Sequence, residues 1–457
     1  KPLLFSAAID VGLLVPSSLL EDAPVAYGAF TLSNADLQFR GLVTAERALV
    51  ESLNVPAVAL LADFGVPRFH HLLSDAGLTT LVRPASDYGL TLILGGAEAK
   101  LLEGVQLYAR LGSLGEFSPL RVLRDEDPSE TAAHAGRQVV SAGASFPTLE
   151  MLKGLGRPGA EYYWEQYQNQ WPLAWKTGTS FGQRDAWAAG VSPQWTLGVW
   201  VGDFQGGQNA NLRSSSVAAP ILFDVFNRLP KAAGPRWFEV RPSELRVQRV
   251  CADSGYAATD LCEETSWVAV PGDAAYLQAD RYHRRVHLTL DGSYRVDSRC
   301  WEVGNVKSVT RMVLPARVSA VLSSRGAAGA SLPPFHPRCV GGANESLAIT
   351  YPPADAKLWV PLDLGGRERR ITLRAVHQQE DATLHWYLND AYHGASGALS
   401  RASTDAAHSI APSLAPGAYS VMVVDASGNR HESRFEVVVA RGAASARGTP
   451  RGRGPRV

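Results

Sequence analysis

The sequence predicts an α+β domain, an antiparallel sheet packed with helices, followed by a cysteine-bearing linker and a small all-β immunoglobulin-like sandwich. Apolar residues recur at helical spacing between residues 45 and 111, and strand-like runs follow between residues 172 and 204. A purely β pattern then occupies residues 344–440. The predicted divisions are residues 1–229, 230–343, 344–440 and a disordered tail at 441–457.

Helices and strands of the first domain are predicted from the period of their apolar residues. Helical spacing predicts helices at 45–53, 57–65 and 103–111. Runs bounded by Gly, Ser, Pro or Asn predict strands at 172–180, 184–192 and 194–204. Because these three strands follow one another closely, we expect them to form an antiparallel sheet.

Four cysteines, Cys251, Cys262, Cys300 and Cys339, all lie in the predicted linker. An even number in one segment predicts two disulfides and an oxidising compartment such as a periplasm. Sequence order favours Cys251–Cys262 and Cys300–Cys339, although four cysteines allow three pairings, and four buried free thiols are the alternative. We predict no metal site, because there is no C-x-x-C pair and no histidine cluster at ligand spacing.

The C-terminal part has the pattern of a small β-sandwich. Alternation of apolar and polar residues in 382–390 predicts a strand with Leu384, Trp386 and Leu388 facing inward, and the pattern of 418–440 predicts two strands joined by a polar turn.

The chain has 44 basic and 44 acidic residues, so bulk charge gives no support for a nucleic-acid partner. No apolar run is long enough to span a bilayer.

The stretch Lys176-Thr177-Gly178-Thr179 lies inside a predicted strand. Gly178 lacks a side chain, so an extended substrate can approach and pair with the strand backbone. Lys176 and the hydroxyls of Thr177 and Thr179 would bind a carboxylate, and the Thr179 backbone N–H would serve as an oxyanion donor. The pattern therefore indicates a site for a peptide that ends in a free carboxylate.

Penicillin-binding proteins and class A β-lactamases carry a three-part signature of S-x-x-K, S-D-N and K-T-G. Ser52-Leu53-Asn54 is the candidate second part, after a predicted helix and before Val55-Pro56, where a loop is expected. A second S-x-N match at 427–429 lies in the predicted hairpin turn of the sandwich, where Ser, Gly and Asn are common because they suit turns.

The first part of the signature is not present in the chain, which begins at Lys1. Lys1 is followed by Pro2 and an apolar helical run, and it precedes Ser52 at a fitting interval. The simplest interpretation is that a nucleophilic serine lies three positions before Lys1. The alternative is an ordinary lysine at a truncation point.

Three stretches together resemble the class A penicillin-binding proteins, in the same order and with the same flanks. They are SNADLQFRGLVTAERALVESLNVPAVALL (33–61), DYGLTLILGGAEAKLLEGVQLYARLGSLG (87–115) and AWKTGTSFGQRDAWAAGVSPQWTLGVWVGDF (174–204). The resemblance extends over nearly the whole chain apart from the tail. It implies a penicillin-binding/β-lactamase-like transpeptidase fold for the first domain.

The resemblance implies a D,D-transpeptidase of peptidoglycan synthesis, in which a serine attacks the penultimate D-Ala of a stem peptide. Lys1 would be the base, Ser52 would relay a proton to the leaving amine, and Asn54 would hold Lys1 and the substrate amide. Lys176, Thr177 and Thr179 would hold the terminal carboxylate. The implied partners are D-Ala-D-Ala stem peptides and β-lactams, and no cofactor is implied.

The family also implies parts that this sequence does not contain. Full-length members carry a membrane anchor and a glycosyltransferase half, and they face the periplasm. Without the serine, the chain as given is expected to be inactive. Two alternative interpretations stay open. One is a binding scaffold whose sandwich docks a cell-wall or periplasmic protein, and the other is a β-lactamase-like hydrolase.

Overall fold

The fold is described from a computed structural model. It describes the following residues of the chain: 1–27, 30–116, 120, 138–157, 171–180, 182–209, 211–231, 236–274, 276–296, 300, 306–326, 332–336, 338–339, 347–359, 370–377, 382–397, 407–425 and 429–438. The predicted tail at 441–457 and Ser427 and Gly428 of the second S-x-N match lie outside these ranges.

The elements are numbered here in chain order. The helices are α1 (Pro2–Asp10), α2 (Ala45–Val50), α3 (Asn54–Phe64), α4 (Val66–Asp75), α5 (Ala85–Tyr88), α6 (Leu101–Gly112), α7 (Ala142–Lys153), α8 (Ala218–Arg228) and α9 (Ala316–Ser324), with 3₁₀ turns at Gly89–Leu94 and Pro242–Glu244. The strands are β1 (Leu19–Asp22), β2 (Val25–Tyr27), β3 (Phe30–Leu32), β4 (Gly41–Thr44), β5 (Ala174–Thr179), β6 (Asp185–Val191), β7 (Thr196–Gly202), β8 (Leu245–Cys251), β9 (Thr265–Pro271), β10 (His283–Thr289), β11 (Val306–Met312), β12 (Leu347–Tyr351), β13 (Ala356–Trp359), β14 (Leu373–His377), β15 (Leu384–Leu388), β16 (Ala391–Ser396), β17 (Ala407–Ile410), β18 (Gly417–Asp425) and β19 (Arg430–Val438).

The chain divides into two compact units. The first consists of Lys1–Ala23, Ser33–Leu314 and Leu332–Pro334, and the second of Pro24–Leu32, Pro315–Ser331 and Phe335–Val457. The first unit contains helices and antiparallel sheets, and the second is rich in β-structure, so the predicted α+β class and the β-rich C-terminal part are confirmed. The exact domain boundaries drawn from the sequence stay a prediction.

A three-stranded antiparallel sheet in the order β5-β6-β7 organises the first unit. Trp175 of β5 packs edge-on against Phe223 of α8, in a buried cluster that also contains residues of β6. The three predicted strands are thus present, each a few residues shorter than the pattern suggested. Strand β5 lies at the edge of this sheet, which leaves one side of its backbone unpaired by β6.

Helix α1 is buried along nearly its whole length, from Pro2 to Ile9. Such all-round burial is typical of a central helix, since an apolar sequence without a polar face has no side suited to solvent. Pro2 occupies the first turn of the helix, where its missing N–H costs no hydrogen bond. The helix therefore forms a firm support for Lys1 at its N-terminus.

The prediction of a loop around Val55-Pro56 is wrong, because both residues belong to a helix. Helix α3 begins at Asn54, and Pro56 lies in its first turn. The rule that the residue before a proline avoids helical geometry did not hold, because a first-turn proline needs no intrahelical partner. The connection between α2 and α3 is consequently only three residues long, from Glu51 to Leu53.

Two hairpins, β8–β9 and β10–β11, carry the cysteine-containing segment of the first unit. Cys251 at the end of β8 forms a disulfide with Cys262, with the Cα atoms 5.5 Å apart, so this predicted pairing is confirmed. Cys300 and Cys339 are disulfide-bonded as well.

The second unit contains a three-stranded sheet in the order β12-β14-β17 and a five-stranded sheet in the order β13-β19-β18-β15-β16. Residues of both sheets share one apolar core, which includes fully buried Trp386. Leu384, Trp386 and Leu388 all face inward, as their alternation predicts. The predicted hairpin is present as β18–β19. Asn429 in its connection donates to Asp425, a contact of the kind that asparagine and aspartate make in turns.

Among the residues that the structure describes, no helix combines the length and apolar character required to cross a bilayer.

Candidate active site

Lys1 lies where the N-terminus of α1 meets the connection between α2 and α3. Its Nζ donates to the backbone oxygen of Ser52 at 2.7 Å and to Asn54 Oδ1 at 2.7 Å, and it lies 3.5 Å from Ser52 Oγ. Lys1 therefore shares one hydrogen-bond network with two residues that lie 51 and 53 positions after it in the sequence.

The position of Ser52 follows from the way that α2 ends. The Leu53 N–H donates to the Ala48 carbonyl and the Ser52 N–H donates to the Leu49 carbonyl, which is the Schellman pattern of a helix C-terminus. This pattern requires a left-handed residue after the cap, and Ser52 adopts it with φ of 58°. Glycine would adopt this conformation without strain, so the serine costs about 1 kcal/mol there.

Asn54 is placed by a residue that the sequence reasoning missed. Buried Asn34 accepts hydrogen bonds through Oδ1 from the backbone N–H groups of Asn54, at 2.8 Å, and of Val55, at 3.3 Å. It thus caps α3 from outside the helix, where Leu53 provides no side-chain cap. Its Nδ2 donates to the buried carboxylate of Asp22 at 2.7 Å, which holds the amide in this orientation.

Replacing Asn34 with Ala should loosen the first turn of α3. The loss of a capping acceptor destabilises a helix terminus by about 1–2 kcal/mol, which corresponds to roughly tenfold faster local opening. Hydrogen exchange followed by mass spectrometry should therefore show faster exchange for the amides of Asn54 and Val55. The exposed Asn211→Ala is the matched control. Unchanged exchange at α3 in the Asn34 variant would show that Asn34 does not hold this loop.

The K-T-G-T stretch forms the C-terminal part of edge strand β5. Lys176 is buried, whereas Gly178 and Thr179 are exposed. The Ser180 N–H donates to the Asp185 carbonyl, and the pairing register with β6 is regular from Ala174 to Thr179. Because inward and outward backbone groups alternate in an antiparallel pair, the N–H and C=O groups of Thr177 and Thr179 point to the open edge.

Ser214 is a second residue that the sequence reasoning missed. Its buried hydroxyl lies 2.7 Å from Thr179 Oγ1 and donates to the Gly178 carbonyl at 2.5 Å. It comes from the segment before α8, so no motif near Lys176 could have indicated it. The contact fixes the rotamer of Thr179 at the exposed end of the strand.

Burial controls the charge of both lysines in this region. Burial, assisted by the charge of Lys176, lowers the pKa of the Lys1 side chain to about 7. Burial alone lowers the pKa of Lys176 to about 8. The positive charge of Lys176 on β5 therefore acts on the amine of Lys1. Near neutral pH the site therefore combines a partly neutral amine with a mostly cationic one.

All seven residues singled out from the sequence lie in the described part of the first unit. Lys1, Ser52 and Asn54 are directly hydrogen-bonded, and Lys176 acts on Lys1 through its charge. The Lys176 ammonium donates to the Thr177 carbonyl at 3.3 Å. An amine that can accept a proton, a hydroxyl beside it and an open strand edge that carries a lysine suit acyl transfer on a peptide with a carboxylate.

Potential metal ligands come together elsewhere in the first unit. Across the described ranges, the ligand atoms of Cys251, Cys262, Asp280 and His283 lie within 4.8 Å of one another, although the two cysteines are bonded as a disulfide. The sequence criteria did not detect this group, because its two cysteines do not form a C-x-x-C pair and it contains a single histidine.

Two protein families match this chain. Residues 1–227 match the family described as "Penicillin binding protein transpeptidase domain", and residues 336–435 match the "Penicillin-Binding Protein C-terminus Family". The seven site residues all fall within the first match.

Individual relatives carry corresponding names. Penicillin-binding protein 1C of Escherichia coli is 33% identical over 255 residues, which are 56% of this chain and 32% of the relative. Penicillin-binding protein 1F of Bacillus subtilis is 29% identical over 64% of this chain and 42% of the relative. The chain thus spans less than half the length of these two relatives. A crystal structure of penicillin-binding protein 1A from Haemophilus influenzae aligns over 62% of this chain and 48% of that chain, with 16% identity and a TM-score of 0.46.

Proposed function

The chain belongs to the class A penicillin-binding proteins, and from this we propose that its first unit is a D,D-transpeptidase module that cross-links peptidoglycan stem peptides. The observation that carries the proposal is the Lys1 network: a buried amine with a pKa of about 7, bonded to Asn54 and adjacent to the Ser52 hydroxyl. A base of this kind is poised to take a proton at neutral pH.

In the proposed reaction, the nucleophile is the serine predicted three positions before Lys1. Its Oγ attacks the penultimate D-Ala carbonyl of a stem peptide, and its proton passes to the neutral Lys1 amine. Ser52 relays a proton to the nitrogen of the departing D-Ala, so the C–N bond breaks without releasing an unstable anion. The amine of a second stem peptide then attacks the ester, which releases the serine and forms the cross-link.

The open edge of β5 supports the binding of the donor peptide. The outward backbone groups of Thr177 and Thr179 allow the peptide to pair as an added strand, and the Thr179 N–H is the proposed oxyanion donor. Lys176 and the two threonine hydroxyls hold the terminal carboxylate. A β-lactam presents a carboxylate beside its reactive amide, so it would occupy the same positions.

The setting of the module follows from the same proposal. Its substrates are periplasmic peptides that end in D-Ala-D-Ala. The module itself is part of a longer protein that carries a membrane anchor and a glycosyltransferase half. We place the transpeptidase domain at residues 1–229, the linker at 230–343 and the sandwich at 344–440. The sandwich would bind the cell wall or a periplasmic protein.

Covalent labelling by a fluorescent penicillin tests the function directly. The 457-residue chain should be compared with a chain extended upstream through the predicted serine, and with the serine-to-alanine variant of that longer chain. We expect stable labelling of the extended form alone, because only that form has both nucleophile and base. Absence of labelling in a folded, serine-containing chain would support the scaffold reading instead. Rapid loss of the label with continuous turnover of a chromogenic cephalosporin would support the hydrolase reading.

A further inference from the structure

The four potential ligands in the first unit come from two β-hairpins and the loops beside them. Cys251 ends β8, Cys262 lies in the turn before β9, and His283 begins β10, three residues after Asp280. The side chain of His283 is buried and that of Asp280 is completely so. The group lies outside the Lys1 network and takes no part in the proposed transpeptidation.

The distances among the donors approach those of a tetrahedral metal site. His283 Nδ1 lies 3.5 Å from Cys251 Sγ and 3.1 Å from Asp280 Oδ2. Zinc bonds of about 2.0–2.3 Å to sulfur, nitrogen and oxygen place neighbouring ligand atoms roughly 3.3–3.8 Å apart in a tetrahedron. The nitrogen and the carboxylate oxygen therefore need to move by only a few tenths of an ångström to share one ion with the sulfur.

The surroundings of His283 also suit a ligand. Its Nε2 lies 3.4 Å from Asp253 Oδ2, so when Nδ1 binds a metal ion the proton on Nε2 faces a carboxylate. Metal-binding histidines commonly have such an outer carboxylate, which fixes the ring and increases its basicity. The backbone N–H of His283 donates to Asp280 Oδ2 at 2.8 Å, which orders the Asp-x-x-His turn before any ion binds.

We propose that Cys251, Cys262, Asp280 and His283 form a Zn²⁺ site when the Cys251–Cys262 disulfide is reduced. A dithiol reductant supplies two electrons and two protons, which break the S–S bond and leave two thiols while the reductant becomes a disulfide. Zn²⁺ then displaces both thiol protons and binds two thiolates, the imidazole nitrogen and one carboxylate oxygen. The disulfide and the zinc site are mutually exclusive states, because the same two sulfurs are used in both.

The zinc state would link one more strand than the disulfide state does. The disulfide joins the end of β8 to the turn before β9, and the metal would add β10 to that link through His283. A mixed set of two thiolates, an imidazole and a carboxylate favours Zn²⁺ over Mg²⁺ or Ca²⁺, which prefer oxygen ligands.

Cobalt substitution tests the site without relying on enzyme activity. The 457-residue chain with Cys300→Ser and Cys339→Ser is reduced, freed of reductant and titrated with Co²⁺ and then Zn²⁺ under anaerobic conditions. We expect one equivalent of Co²⁺, with thiolate charge-transfer absorption and the intense visible bands of tetrahedral cobalt, and displacement by Zn²⁺. His283→Ala should lower the affinity at least about 100-fold.

Three controls make the result decisive. His287→Ala, on the same strand but outside the ligand group, should bind cobalt like the parent chain. The oxidised chain should bind none, because its sulfurs are not thiolates. Zinc should raise the Tm of the reduced parent but not that of the reduced His283 variant. Equal binding by the His283 variant, octahedral cobalt spectra, or no rise in Tm on adding zinc would overturn the proposal.

Discussion

Replacing Lys1 with Met should lower the rate of acylation by penicillin by about 10²–10⁴-fold in a chain that includes the upstream serine, which is the range for loss of a general base. Methionine keeps much of the apolar volume of the lysine stem but cannot accept a proton. Asn54 Oδ1 and the Ser52 carbonyl would also lose their hydrogen-bond donor. Stopped-flow or gel-based labelling with a fluorescent penicillin measures the rate constant.

The exposed Lys100 provides the matched control for this change. Lys100→Met removes a lysine of the same unit that lies outside the Lys1 network, so acylation should stay within about twofold of the parent rate. Circular dichroism should show that both variants keep the parent fold. Acylation of the folded Lys1 variant at the parent rate would remove Lys1 from the mechanism and leave the base unassigned.

The acylation efficiency, kcat/KM, should depend on pH as a bell with a narrow maximum between about 7 and 8. Lys1 is a base only when neutral, so the efficiency rises as the pH passes its pKa of about 7. Lys176 attracts a carboxylate only when charged, so the efficiency falls above its pKa of about 8. Because the two charges interact, the limbs report macroscopic constants of the pair.

Lys176→Arg separates the two limbs. An arginine stays charged throughout this pH range, so the fall on the alkaline side should disappear while the rise near pH 7 remains. The measurement is the second-order rate constant of acylation between pH 5 and pH 10 at constant ionic strength. If the alkaline limb persisted in the arginine variant, the loss of activity at high pH would have to come from a group other than Lys176.

Sequence pattern alone predicted most of the secondary structure around the site. Hydrophobic alternation placed β5, β6 and β7 within a few residues, because a half-buried strand needs one apolar face whatever the rest of the fold is. The same argument placed the inward residues of β15, including Trp386. Short motifs singled out Lys1, Ser52, Asn54 and Lys176 as candidates, because residue type and order carry that information.

The supporting contacts were decided only by the tertiary structure. Asn34 is 20 residues from Asn54, and Ser214 is 35 residues from Thr179, so no local pattern joins either pair. The rule that the residue before a proline avoids helical geometry misplaced the loop at Pro56, because the end of α2 and the cap supplied by Asn34 set where α3 begins.

The sequence by itself thus determined the order of elements, the class of each unit and the candidate residues of the site. The tertiary structure decided which of these groups meet and in what state of charge. A pKa depends on burial and on charges that are distant in sequence, and a donor cluster such as Cys251, Cys262, Asp280 and His283 depends on where hairpins pack. These properties arise from packing between segments, which period and spacing along a chain do not encode.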